Sequence, residues 1–186
     1  MKKITFIFLS FLLFQISKAQ DGVSVEKSLI GGQVGYLGIW ANHEAKLSNR
    51  ITFKTEVGLD NGYLVESILW SGRSFHPIVS IEPRYYYNLG RRAESSKKIK
   101  NNTGNFWALQ TRYNLAWVID KKAGSNTKEA IIITPKYGIR RTLGNHFNFE
   151  TTLGFGYGHE FNTYLSGGFF SIEASIRLGF HFGNKK

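Results

Sequence analysis

The chain has 186 residues, no cysteine, and 24 Lys and Arg against 13 Asp and Glu, which gives a formal net charge of +11. This length suits one domain, and the lack of cysteine excludes disulfides, thiolate metal sites and a lipid-modified cysteine anchor. The basic balance would fit nucleic-acid binding, but the N-terminus predicts export, so we expect no nucleic-acid partner.

The first 19 residues have the pattern of a cleaved secretory signal peptide. Lys2 and Lys3 precede the apolar run Ile4–Ile16, and the small residues that end at Ala19 suit cleavage. The apolar run is shorter than the about 20 residues that a membrane-spanning helix needs. We therefore predict a signal peptide over 1–19 and a single exported domain over 20–186.

The region after the signal peptide has two β-like halves, Gly22–Ile30 and Gln33–Ala41. Gly31-Gly32 between them is a signal for a two-residue hairpin turn. The alternative is one long strand, Leu29–Ala41, that kinks at the two glycines.

Six longer segments follow in which apolar and polar residues alternate with the period of a β-strand. They are Arg50–Leu59, Pro77–Leu89, Phe106–Ile119, Ile131–Arg140, Phe147–Tyr157 and Phe169–Phe182. A proline cannot donate a hydrogen bond to a neighbouring strand, so we expect Pro83 and Pro135 at bulges or poorly paired positions.

The last segment shows most clearly why a membrane barrel is predicted. Every second residue from Phe170 to Phe182 is apolar, whereas the residues between them include Glu173 and Arg177. An ordinary strand has about 5–6 residues, whereas a tilted transmembrane strand needs about 9–11. We predict an all-β fold, an antiparallel eight-stranded transmembrane β-barrel with an up-and-down meander. A soluble periplasmic sandwich, with the aromatic face as its core, is the alternative.

The strand number follows from the expected position of the chain ends. A bacterial barrel has an even number of strands, with both termini on the periplasmic side. The six clear strands and a Gly31-Gly32 hairpin make eight, whereas one long N-terminal strand would make seven. Three connections are then expected on the periplasmic side: Asn42–Asn49, Gly90–Asn105 and Leu143–His146. The other three are expected outside: Asp60–His76, Asp120–Lys128 and His159–Gly168.

The polar residues of these strands predict a charged barrel interior. An eight-stranded barrel is just wide enough for side chains to fill, and unpaired charge there is costly, so we expect ion pairs and a plugged interior. A narrow channel is the alternative, and it requires a continuous water path past the charges. The predicted interior network comprises Arg50, Lys54, Glu56, Glu82, Arg84, Arg112, Lys136, Arg140, Glu150, Glu173 and Arg177.

Aromatic residues gather near the predicted strand ends, as the interfacial girdles of a membrane barrel do. Those expected on the periplasmic side are Trp40, Tyr87, Trp107, Phe147 and Phe180. Those expected on the outer side are Trp117, Tyr157 and Phe170.

Several stretches resemble those of small outer-membrane β-barrel proteins of Bacteroidetes-type bacteria, a family largely without assigned function. They are Leu47–Ile51, Glu82–Leu89, Gly138–Phe147 and the end of the basic connection, Asn101–Phe106. The resemblance implies a barrel in the bacterial outer membrane with outer-membrane lipids as partners, and it implies no activity. Leu178, Phe180 and Phe182 resemble the C-terminal aromatic signal that the barrel assembly machinery recognises, so we expect that machinery as a partner during insertion.

No catalytic, cofactor or metal site is predicted. The five histidines are scattered, without the spacing of metal ligands. The alternative is an outer-membrane enzyme acting on lipid A or on peptides, which would require Ser166 or Ser171 as nucleophile beside His159. The His-x-Ser-Asn pattern expected of such enzymes is absent at His159–Asn162, so we expect a structural or interaction role without catalysis.

The connection Gly90–Asn105 carries most of the clustered basic charge, at Arg91, Arg92, Lys97, Lys98 and Lys100. A solvated loop is the simplest interpretation of such a run. If it faces the periplasm, inner-leaflet headgroups or peptidoglycan are its candidate partners.

Overall fold

The structure is a computed structural model that describes residues 22–60, 75–117, 129–161 and 167–182. The predicted signal peptide and the connection Asp120–Lys128 therefore lie outside the described residues, as does most of Asp60–His76. The strands are β1 (Ser28–Gly35), β2 (Gly38–Lys46), β3 (Ile51–Asp60), β4 (His76–Tyr86), β5 (Asn105–Asn114), β6 (Ala130–Leu143), β7 (Phe147–Glu160) and β8 (Gly168–Phe182). A short helix, α1 (Leu89–Glu94), and a 3-10 turn, Lys100–Asn102, lie between β4 and β5.

The eight strands form a closed barrel in which each strand is antiparallel to its neighbours along the chain, and β8 pairs with β1. This confirms the predicted all-β, eight-stranded up-and-down barrel. In the described ranges, no helix is long and apolar enough to cross a membrane. One end of the barrel, here called the terminal end, holds the start of β1, the end of β8 and the connections 47–50, 87–104 and 144–146. The opposite end is called the loop end.

The first hairpin turns at a different place from the one predicted. Tyr36 and Leu37 connect β1 to β2, whereas Gly31-Gly32 lies in the middle of β1. Gly31 faces the interior where β8 approaches closely, and a Cβ there would collide with the Phe180 carbonyl oxygen. Glycine is therefore required at Gly31 for close packing of β1 against β8 and not for a turn. The single-strand alternative is also wrong, because two strands pair here.

Three other predicted boundaries differ from the structure. The strand predicted as Phe106–Ile119 ends at Asn114. The strand β2 continues to Lys46, so the predicted connection Asn42–Asn49 shrinks to four residues, 47–50. The predicted strand Pro77–Leu89 ends at Tyr86, because the Asn88 side chain accepts a hydrogen bond from the Asn105 backbone N–H at 2.8 Å and the chain turns into α1.

Both prolines within strands lie where the pairing is interrupted. Pro83 pairs with Phe53 of β3, but the register between β4 and β5 is broken at this level. Pro135 likewise pairs with Leu109 of β5, and the register between β6 and β7 is broken there. This confirms the expectation of poorly paired positions, since proline has no N–H to donate to the second neighbour.

The barrel has a large stagger between its first and last strands. Stepping from Phe182 of β8 to Ile30 of β1 and then from partner to partner around the barrel returns to β8 at Phe170, 12 residues away. A large stagger requires strongly tilted strands. The wall is also uneven, since β1 has 8 residues and β8 has 15.

The outer face of the barrel is apolar and the interior is polar, the reverse of a soluble protein. On β8, for example, Ile176, Leu178 and Phe182 are more than half exposed, whereas Arg177 and His181 are buried. Two small apolar clusters lie inside. One, at the terminal end, contains Val25, Tyr86, Leu89 and Phe106. The other contains Leu37, Trp40 and Ile78.

Candidate functional site: the charged interior

Ionised side chains that alternate inward along seven strands fill the barrel interior. Among the described residues, the basic ones are Lys54, Arg84, Arg112, Lys136, Arg140 and Arg177. The acidic ones are Glu44, Glu56, Asp60, Glu82, Glu150 and Glu173. Six formal positive charges thus face six negative charges, so the interior that the structure describes is balanced.

The largest ionic cluster is centred on Glu150 of β7. Arg84 donates two hydrogen bonds to the Glu150 carboxylate, at 3.0 and 2.8 Å. Arg140 donates to Glu150 Oε2 from Nε at 2.7 Å, and its Nη2 lies 2.6 Å from the same oxygen. All three side chains are at most 1% exposed. Such bidentate Arg–carboxylate pairs are the strong, geometrically specific kind.

Glu44 of β2 connects this cluster to the terminal end. Its carboxylate accepts hydrogen bonds from Arg140 at 2.7 Å, Thr52 at 2.7 Å, Tyr86 at 3.0 Å and Asn102 at 2.9 Å. Four donors from three strands and the 3-10 turn therefore satisfy one buried carboxylate, which is the condition for burying a charge without a large penalty.

A second cluster lies between β1, β3 and β8. Lys54 and Arg177 both contact Glu56, at 2.5 and 3.0 Å. Both also donate to the Gln33 side-chain oxygen, at 3.0 and 3.4 Å. The Arg177 guanidinium lies 3.8 Å from the centre of the Trp40 ring, which covers its apolar face.

The remaining charges are paired as well. Lys136 lies 2.7 Å from Glu82 and 3.0 Å from Glu173, and Glu82 also accepts from Arg84. Arg112 donates to Asp60 at 3.4 Å near the loop end. Every acidic side chain of the described interior therefore has a basic partner, and none is placed as an isolated acid or base.

The terminal end of the interior is closed by packed residues. Leu89 of α1 packs with Val25, Tyr86 and Phe106, and each is at most 4% exposed. Asn102 receives a hydrogen bond from the Glu26 backbone N–H at 2.7 Å, which ties the 3-10 turn to the chain before β1.

Two adjacent asparagines shape that turn. Asn101 and Asn102 both have left-handed backbone conformations, with φ of 55° and 57°, which asparagine adopts more readily than most residues. The Asn101 side chain also donates to the Asn145 carbonyl at 2.9 Å, so the turn contacts the β6–β7 connection.

Ten of the eleven charges predicted for the interior lie in it. Arg50 is half-buried and lies in the turn before β3. Sequence reasoning missed Glu44 and Asp60, because it placed both in connections. Glu44 could have been found from the alternation of the inward residues Trp40, Asn42 and Glu44. The outward residue His43 is itself polar, and it obscures this alternation.

Seven of the eight predicted girdle aromatics are exposed, in two groups at opposite ends of the barrel. Tyr87, Trp107, Phe147 and Phe180 lie near the terminal end, and Trp117, Tyr157 and Phe170 near the loop end. The prediction for Trp40 is wrong. Its side chain is 3% exposed and points inward, because β2 presents its even-numbered residues to the interior.

Tyr137 is an outer-face aromatic that sequence reasoning did not assign to a girdle but that contacts two girdle residues. Tyr137 contacts the Trp107 ring edge-on at 5.1 Å between centroids, and its hydroxyl lies 3.1 Å from that of Tyr87. The residues of the predicted assembly signal, Leu178, Phe180 and Phe182, all project outward.

The candidate pair of Ser171 and His159 does not assemble. Ser171 is buried on the inner face of β8, whereas His159 is exposed on the outer face of β7. Ser166 lies outside the described residues. In the ranges that the structure covers, no three His, Asp or Glu side chains are grouped as metal ligands would be.

Comparison with known proteins adds no further assignment. No protein-family model, no curated protein and no solved structure matches the chain.

Proposed function

We propose that the chain is an outer-membrane β-barrel closed to solutes, with a structural or interaction role in the membrane and no catalysis. The observation that carries this proposal is that one closed barrel combines an apolar outer face with a charge-balanced interior. A soluble barrel would not expose a continuous band of large apolar side chains, whereas a lipid-facing one requires it.

The interior supports a closed barrel over a narrow channel. Arg84, Arg140, Glu44 and Glu150 are at most 1% exposed and are joined by hydrogen bonds across the interior near the terminal end. Passage of an ion would require this cluster to separate and leave buried charges without partners, which is costly. The apolar residues packed around Leu89 form a second closed layer at the same end.

This proposal predicts a heat-modifiable protein without ion conductance. In membranes of the native host, we expect an outer-membrane band that migrates faster unheated than boiled. The purified barrel in planar bilayers should give no discrete current steps at 100 mM to 1 M salt, with a known porin as the positive control. Recovery in the soluble periplasmic fraction would contradict the membrane location, and reproducible current steps would favour the channel.

The basic connection suggests the partner at the terminal end. Arg91, Lys97, Lys98 and Lys100 are exposed, and Glu94 is the exposed acid among them. They lie directly beyond the aromatic group of Tyr87, Trp107 and Tyr137, which a membrane barrel places at headgroup level. We therefore propose anionic inner-leaflet headgroups as their partner, since each basic residue near an anionic surface contributes about 1 kcal/mol.

Replacement of Lys97, Lys98 and Lys100 by alanine should weaken binding of anionic phospholipid at least tenfold. The test is titration of lipid into the purified barrel in neutral detergent at low salt, repeated at high salt, where binding should weaken. The same three lysines changed to arginine form the matched control, which should bind as the parent does. Equal binding by the alanine variant would exclude this surface as the lipid contact.

A further inference from the structure

Among the residues that the structure describes, the barrel wall is incomplete on one side of β8. The register between β1 and β8 runs from Ile30–Phe182 to Gly35–Arg177 and stops there, because the chain turns at Tyr36. The strand β8 continues to Gly168, and in the described part of the chain these further residues pair with β7 alone. The wall is therefore lower at the β1–β2 hairpin, and the gap begins near the midpoint of β8.

A groove of about 390 Å³ lies at this gap. The hairpin contributes Tyr36, Leu37 and Trp40 to its lining. The strands β7 and β8 contribute the apolar Leu153, Ala174 and Ile176 and the small polar residues Thr151, Thr152 and Ser175. Leu153 and Ile176 are more than half exposed and belong to the outer apolar face. The groove is thus continuous with the face that we propose to contact lipid.

The floor of the groove is apolar although charges lie directly beneath it. Leu37, Trp40 and Ile78 form a buried cluster, and the Trp40 ring covers the Arg177 guanidinium. The indole therefore separates the groove from the Arg177–Glu56 ion pair.

We propose that the groove binds one hydrocarbon chain of a membrane lipid, which enters sideways between the β1–β2 hairpin and β8. This inference rests on the proposed membrane location. The groove opens near the middle of the wall, where a bilayer presents the ends of acyl chains, and its apolar lining suits such a chain. Its volume is at the small end of the about 300–1,000 Å³ of ligand sites, which fits one chain and not a folded segment.

An unpaired strand edge can also bind a strand from another molecule. A second copy at the β8 edge is therefore the competing occupant. The apolar, laterally open lining favours the hydrocarbon chain, because a partner strand would be recognised through backbone hydrogen bonds and not through this groove.

The test uses Trp40 as a reporter in the groove wall. A variant with Trp70, Trp107 and Trp117 changed to phenylalanine leaves Trp40 as the single tryptophan, and it is reconstituted into vesicles whose acyl chains carry bromine near the methyl end. Bromine quenches a nearby indole on contact. We expect strong quenching, and we expect Ala174→Phe, which fills the groove, to reduce it at least twofold. Thr111→Phe on the far wall is the matched control and should leave the quenching unchanged.

A second single-tryptophan variant, which keeps Trp107, separates this inference from the proposed function. Trp107 is 58% exposed on the outer face, so chains brominated near the headgroup should quench it if the barrel is in the bilayer. Quenching of Trp107 without an Ala174→Phe effect on Trp40 would overturn the groove and leave the membrane location standing. Quenching of neither would overturn both. An oligomer in the parent that Ala174→Phe disrupts, with Trp40 unquenched, would assign the β8 edge to a second copy.

Discussion

Replacement of Glu150 by alanine should lower the free energy of unfolding by about 3–5 kcal/mol, as removal of one partner from a buried ion pair does. The substitution leaves Arg84 and Arg140 buried, and a charge-balanced interior acquires one surplus positive charge. Urea unfolding of the barrel in detergent micelles, followed by fluorescence and by the mobility shift on gels, measures the loss.

Two control variants separate the charge effect from a general loss of stability. Glu94→Ala removes an exposed carboxylate of α1 and should change the unfolding free energy by no more than about 0.5 kcal/mol. The double variant Glu150→Leu with Arg140→Met removes a charge of each sign, so it should be more stable than Glu150→Ala alone. If Glu150→Ala unfolds at the parent urea concentration, the cluster does not stabilise the barrel.

Arginine in place of Ile81 should cost about 2–4 kcal/mol in lipid vesicles, because it places a charge near the bilayer midplane. Ile81 lies at the centre of β4 and projects outward. Tyr85 lies on the same face near the terminal end of the strand, where Tyr85→Arg should cost only about 0–1 kcal/mol. The measurement is urea unfolding of both variants in vesicles of one lipid composition.

The two positions form a matched pair for this comparison. Ile81 is 43% exposed and Tyr85 is 40% exposed, so loss of ordinary side-chain burial would be similar at both. They differ in the depth that they would have in a bilayer, which is what the comparison tests. Equal costs at both positions would contradict the membrane location and support a soluble barrel.

The strands from Ile51 onward could be predicted because the alternation there is strict, and strict alternation requires a sheet with unlike faces. The same alternation predicts the interior charges, so residues as distant in sequence as Lys54 and Arg177 could be assigned correctly to the inner face. Strand parity also predicted the number eight, which the closed barrel confirms.

The N-terminal hairpin could not be placed from sequence, because a glycine pair has two physical uses. Glycine permits tight turns, and it also permits close approach of a neighbouring strand. Gly31 serves the second use against Phe180, a residue almost 150 positions later, so no local pattern could reveal it. The errors at Trp40 and Glu44 follow from the same cause, since both depend on where β2 begins and ends.

Within the strands that the alternation located correctly, the sequence alone determined which residues face inward and which outward, because side-chain direction in a strand alternates from one residue to the next. The tertiary structure decided which charges become partners, how far each strand is shifted against the next, and where the wall is incomplete. These properties depend on the register between strands that are distant in sequence. The pairing of Glu44 with Arg140 and the gap beside β8 are direct consequences of this register.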